Sequence, residues 1–170
     1  SIRINAQAGT ADEAAALAER DAAEIRKRLG TYVFGEDDDR VETAVARLLI
    51  EQKKTISTAE SCTGGLVAKR LTDTSGSSAY FLQGFVTYSN EAKTRLLGVP
   101  MESIDTHGAV SEPVARAMAE GCRQASGTDY AIGVTGIAGP TGATPDKPIG
   151  LVYVALASER ETIVRELRLG

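Results

Sequence analysis

Tryptophan is absent from this chain of 170 residues, histidine occurs once and cysteine twice. Two cysteines make no disulfide framework, and with one histidine they cannot furnish a Cys/His zinc site. A lone histidine, His107, excludes any mechanism that needs two. No run approaches the about 20 apolar residues of a membrane span, and no signal peptide leads the chain, so a reducing cytosol is the expected compartment and no membrane the expected partner. Nineteen lysines and arginines face 23 aspartates and glutamates, a net charge of −4. With no basic stripe, nucleic acid is not an expected partner either. Several motifs are also missing: there is no G-x-S-x-G elbow and no Walker P-loop. Gly133, Gly136 and Gly139 form G-x-x-G-x-x-G, which is not the dinucleotide fingerprint and weakens an oxidoreductase reading.

What remains is a globular composition, 42% hydrophobic and 25% charged, of a length suited to about one domain of roughly 100–200 residues. Ile2, Ile4 and Ala6 alternate with polar residues and predict a short strand over Ser1 to Gln7. Ala11 to Leu29 reads as a helix stopped by Gly30, and Thr31 to Phe34 as a second short strand. The acidic run Glu36 to Asp39 reads as a boundary, a solvated turn placing negative charge at a helix start. Val41, Ala44, Val45, Leu48 and Leu49 then mark an amphipathic helix. Strands follow at Thr55–Ala59 and Phe81–Tyr88, with a helix from Leu66 to Leu71 between them. A helix from Asn90 to Leu97 and another capped by Ser111 lead to a strand at Asp129–Val134. A Gly/Pro loop over 135–148 separates that strand from a final hairpin, Ile149–Ala157 and Glu161–Leu169. The pattern predicts an α/β fold in three α/β/α layers, with a mixed, mostly parallel sheet.

Two glycine-containing loops follow predicted strands, where open α/β sheets bind ligands. In the first, Glu60-Ser61-Cys62-Thr63-Gly64-Gly65, a hydroxyl and a thiol stand at a strand-to-helix turn. Ser61 is read either as a plain helix cap or as a nucleophile served by backbone N–H groups of Thr63 to Gly65. A nucleophilic serine without a histidine needs another base. Lys93, in the first turn of its helix, sits where the helix dipole disfavours a cation; it is that base or a surface lysine. Tyr88, just before it, is a proton bridge or an edge aromatic. Cys122 falls on the apolar face of its helix, and Lys69, Arg70 and Lys147 read as solvated charges.

The run T-A-E-S-C-T-G-G at 58–65 resembles the signature of the C-terminal domain of competence/damage-inducible protein A, shared with stand-alone nicotinamide-nucleotide amidohydrolases. The resemblance continues through G-S-S-A-Y-F at 76–81, G-F-V-T-Y-S-N-E-A-K at 84–93, L-L-G-V at 96–99 and H-G-A-V-S-E at 107–112. It closes with M-A-E-G at 118–121, V-T-G-I-A-G-P at 134–140 and K-P-I-G-L-V-Y-V-A at 147–155. The resemblance implies deamidation of nicotinamide mononucleotide to nicotinate mononucleotide and ammonia, with no cofactor and no metal. It places the family's catalytic residues on Ser61, Tyr88 and Lys93, and it leaves open a catalytically silent interaction module as the alternative. Substrate-binding roles are expected for Thr63, Gly64, Gly65, Thr135, Gly136, Ala138 and Gly139, the phosphate resting on backbone amides at a helix start or in the loop Thr135–Gly139. A homodimer is expected. The resemblance also divides the chain: residues 1–35 look like the C-terminal part of a small α/β, KH-like linking module, and residues 36–170 like the amidohydrolase domain without its last segment.

Overall fold

A computed structural model describes residues 2–37 and 39–169. Contacts divide it into two units, one up to Ala44 and one from Val45 onward. In the first, helix α1 (Ala11–Leu29) starts at a capping box, in which Thr10 Oγ1 accepts from the Glu13 amide and Glu13 accepts from the Thr10 amide. Basic residues Arg26, Lys27 and Arg28 complement its C-terminal end. Neither of the two strands expected here forms among the described residues, outside which Ser1 lies: residues 2–8 and 33–35 are irregular, and Gly30–Tyr32 make one 3-10 turn. Alternation marks a strand only where a sheet accepts its N–H and C=O groups, and Ile2 is 62% exposed. Within the acidic run Glu36 pairs with Arg26, while Asp38 lies outside the described residues.

The second unit is built on one five-stranded sheet of order β2-β1-β3-β4-β5. Its strands are β1 (Ile56–Glu60), β2 (Phe81–Val86), β3 (Tyr130–Gly136), β4 (Leu151–Ala157) and β5 (Thr162–Arg168). β1 runs parallel to both β2 and β3, and β3–β4 and β4–β5 are antiparallel. From β1 the chain passes through α3 (Leu66–Thr72) to β2, then returns past β1 through α4 (Asn90–Leu97), α5 (Met101–His107) and α6 (Glu112–Ser126) to β3. Crossovers between parallel strands are right-handed, so two that run in opposite directions along the sheet, β1 to β2 and β2 back to β3, put their helices on opposite faces. The cores agree. Leu49 of α2 (Val41–Glu51), Leu71, Tyr80 and Ile56 pack on one face, and Leu97, Ile104, Val114, Met118 and Cys122 cover Ala59 and Ala131 on the other. The three-layer α/β/α arrangement with a mixed sheet is the one the sequence predicts. The addition is α5, which contributes one buried side chain, Ile104.

Tight seating fixes α4. A Cβ on Gly121 of α6 would stand 1.8 Å from the Leu97 carbonyl oxygen, so only glycine lets the end of α4 come so close. The connections leaving the neighbouring strands β1 and β2 go to opposite faces, and the crevice at such a point, beyond the strands' carboxyl ends, is where ligands bind in open α/β sheets.

Candidate active site

The register brings three strand ends level. Glu60 pairs with Val86 on one side and Val134 on the other. The next residues, Ser61, Thr87 and Thr135, therefore emerge side by side, with the Ser61 amide donating to the Val134 carbonyl at 3.0 Å and the Thr87 amide to the Glu60 carbonyl at 2.8 Å.

Ser61 and Lys93, 32 residues apart, meet here. Lys93 Nζ donates to Ser61 Oγ at 3.1 Å, to the Thr87 carbonyl at 2.8 Å and to the Tyr88 carbonyl at 3.3 Å. Ser89 caps α4, accepting from the Ala92 amide, and so sets Lys93 in the first turn. The lysine is only 1% exposed, and burial, the largest influence, pulls its pKa below the ordinary lysine value, with Cys62 and Glu91 partly opposing. No carboxylate is among its hydrogen-bond acceptors.

Cys62 faces another way. A Cβ on Gly136 would lie 3.0 Å from Cys62 Sγ, so the sulfur packs against the end of β3. Burial raises its thiol pKa, so the reactive thiolate is disfavoured. Tyr88 reaches Lys93 through its carbonyl, whereas its side chain is 74% exposed and its phenol has no hydrogen bond among the described residues. The phenol is therefore not interposed between Ser61 and Lys93, which touch directly.

The expected binding residues divide. Gly64 and Gly65, at φ of 61° and 102°, make a turn that other residues adopt only with strain. Their amides are already used, Gly64 by the Ser61 carbonyl at 3.1 Å and Gly65 by the Glu60 carboxylate at 3.0 Å. The same carboxylate accepts from Val67 at 3.0 Å and Ala68 at 2.8 Å, so the start of α3 is closed to any other anion. Among the described residues, the amides of Cys62 and Thr63 have no oxygen partner and bond only the Cys62 sulfur, and the Thr63 hydroxyl is buried with no partner. Thr135 is buried, its hydroxyl donates to the Ala109 carbonyl at 2.8 Å, and its backbone is registered against Tyr153 of β4. Beyond Gly136, the Ile137 amide bonds Leu151 O and the Gly150 amide bonds Ile137 O, while the amides of Ala138 and Gly139 have no partner among the described residues.

Two contributors escape sequence reasoning. Glu60 falls in the turn read over 60–65 with no role assigned to it, yet it is fully buried and caps α3. Lys147 reads as a solvated charge, yet its Nζ donates to the carbonyls of His107 at 2.5 Å and Val110 at 2.8 Å, fastening the Gly/Pro loop to the α5–α6 connection. His107 itself is exposed at the end of α5 and enters this contact only through its backbone. Among the described residues no group of three His, Cys, Asp or Glu side chains could hold a metal ion, and no helix is long and apolar enough to cross a membrane.

Residues 38–170 match the CinA C-terminal domain family. A putative competence-damage inducible protein of Symbiobacterium thermophilum is 64% identical over 135 residues, 79% of this chain and 32% of that protein. A CinA-like protein of Geobacter sulfurreducens is 52% identical over 167 residues, 98% of this chain and 40% of its own length. The chain thus spans about a third to two-fifths of the curated relatives it matches. Among solved structures, the competence/damage inducible protein CihA from Agrobacterium tumefaciens superposes with a TM-score of 0.73 at 42% identity, over 80% of this chain and 86% of that one. A CinA superfamily protein from Escherichia coli gives 0.75 at 29% identity, over 84% and 86%.

Proposed function

The chain belongs to the CinA C-terminal domain family, and from that premise we propose that it is an amidohydrolase that deamidates nicotinamide mononucleotide through a serine–lysine pair. The observation that carries the proposal is the contact of buried Lys93 Nζ with Ser61 Oγ at 3.1 Å, its remaining donors resting on two backbone carbonyls. A neutral amine has two hydrogens and one lone pair. With the hydrogens kept on Thr87 O and Tyr88 O, the lone pair faces Ser61, whose hydroxyl then donates to it. Such an arrangement supports proton removal by Lys93 directly, with no relay through the Tyr88 phenol.

The reaction then balances as follows. Ser61 Oγ bonds to the carboxamide carbon, its proton passes to Lys93, and the carbonyl becomes an oxyanion received by the amides of Cys62 and Thr63, which have no oxygen acceptor among the described residues. Lys93 returns the proton to the amide nitrogen, the C–N bond breaks and ammonia leaves. Water then gives a proton to Lys93 and its oxygen to the acyl carbon, and the proton goes back to Ser61 Oγ as nicotinate mononucleotide departs. The cationic pyridinium of the substrate withdraws electrons and favours the attack. Since Glu60 already fills the start of α3, the substrate phosphate is assigned to the unpartnered amides of Ala138 and Gly139, where glycine permits close approach.

Ammonia release from nicotinamide mononucleotide tests the reading in wild type, Ser61→Ala and Cys62→Ala. The expected result is turnover in wild type and in Cys62→Ala, and a loss of about a thousandfold or more in Ser61→Ala. A serine variant that keeps near-normal rates beside an inactive cysteine variant reverses the assignment, and a silent wild type leaves the interaction module standing.

A further inference from the structure

Glu60 is a fully buried carboxylate that this chemistry leaves unused. It is 0% exposed, and no salt bridge reaches it among the described residues. Its carboxylate takes amide hydrogens from Gly65, Val67 and Ala68, five to eight residues ahead, at 3.0, 3.0 and 2.8 Å. A buried carboxylate is costly unless hydrogen bonds and dipoles compensate it, and three converging amides at a helix start do so. Glu60's own backbone is gripped as well, registered against Val86 and Val134, with its carbonyl taking the Thr87 amide at 2.8 Å. The residue immediately before Ser61 thus clamps both the strand end and the helix start, and the turn carrying Ser61 is suspended between those fixed points.

We propose that Glu60 is the positioning residue of the nucleophile: its carboxylate holds the turn so that Ser61 Oγ stays on Lys93 Nζ. The inference rests on the reading of Ser61 as nucleophile and concerns no contact with substrate. A glutamine in its place keeps the shape, but its NH2 group opposes an amide donor and frees one end of the clamp. An aspartate keeps the charge and stops one methylene short. Because reactivity falls steeply when a reacting group shifts by about 1 Å, the cost falls on kcat, with KM little changed.

The test uses the full chain. Wild type, Glu60→Gln and Glu60→Asp are treated with a fluorophosphonate, the rate of Ser61 labelling is read by mass spectrometry, and kcat and KM for nicotinamide mononucleotide are taken alongside melting curves. Folded variants are expected to label, and to turn over, about tenfold or more slowly, with KM within about twofold. A folded variant that is less stable but labels and turns over like wild type overturns the inference. So does native-state hydrogen exchange in wild type, if the Gly65, Val67 and Ala68 amides exchange as fast as unbonded turn amides, a readout that stands if neither variant folds. Wild type that labels without releasing ammonia removes the proposed substrate and leaves Glu60's role testable by labelling. Wild type that does neither removes Ser61 as nucleophile and overturns both.

Discussion

Lys93 concentrates the chemistry into one nitrogen, and its three acceptors decide what Tyr88 can do. Since the Tyr88 carbonyl, and not its phenol, holds the amine, Tyr88→Phe is expected to cost less than about tenfold in kcat. A general acid or base in the proton path is worth about a hundredfold or more, so a loss of that size would put the phenol back in the path. At this scale the residue patterns made Ser61 and Lys93 candidates beside a plain helix cap and a surface lysine, and it was the family resemblance that chose between these readings. The direct contact was not legible, because the pair is 32 residues apart in the chain and only the sheet register joins them. Glu60 was illegible for another reason. A carboxylate at a strand end reads as solvated until the fold shows amides converging on it.

Among the elements, the loop after β3 depends on a latch. Lys147 spans from that loop to the carbonyls of His107 and Val110, and its Nζ would lie 2.8 Å from a Cβ on Gly108. If the amides of Ala138 and Gly139 receive the phosphate, Lys147→Met frees them and is expected to raise KM about tenfold with kcat nearly unchanged, as read by initial rates. A fall in kcat at constant KM would give Lys147 a different part. From α2 onward most elements were readable, since apolar periodicity, Ser89 and glycines at helix ends mark them. The helix α5 was missed because seven residues with one buried side chain make no periodic stripe. The two strands expected before residue 36 have the right alternation and no sheet to join.

For the whole molecule, the buried lysine links stability to pH. Its folded pKa lies below the ordinary 10.5, so between those values the unfolded chain holds more protons than the native one. Stability contributed by this site therefore rises with pH through that window and levels off above it. Lys93→Met lacks the titration. The melting temperature of wild type relative to Lys93→Met is expected to climb as pH rises from neutral toward 10.5, and a flat difference would mean that Lys93 keeps its ordinary pKa in the fold. The architecture was the most legible property, because β–α alternation and right-handed crossovers leave few arrangements.

The proposed reaction turns on one step, the activation of Ser61 by neutral Lys93 toward a carboxamide. Its most direct test is the rate of ammonia release from nicotinamide mononucleotide across pH. The predicted profile climbs with pH to a plateau reached below the ordinary lysine pKa of 10.5, and it vanishes in Ser61→Ala. Ammonia release that is absent at every pH, or that persists unchanged without the serine hydroxyl, contradicts it.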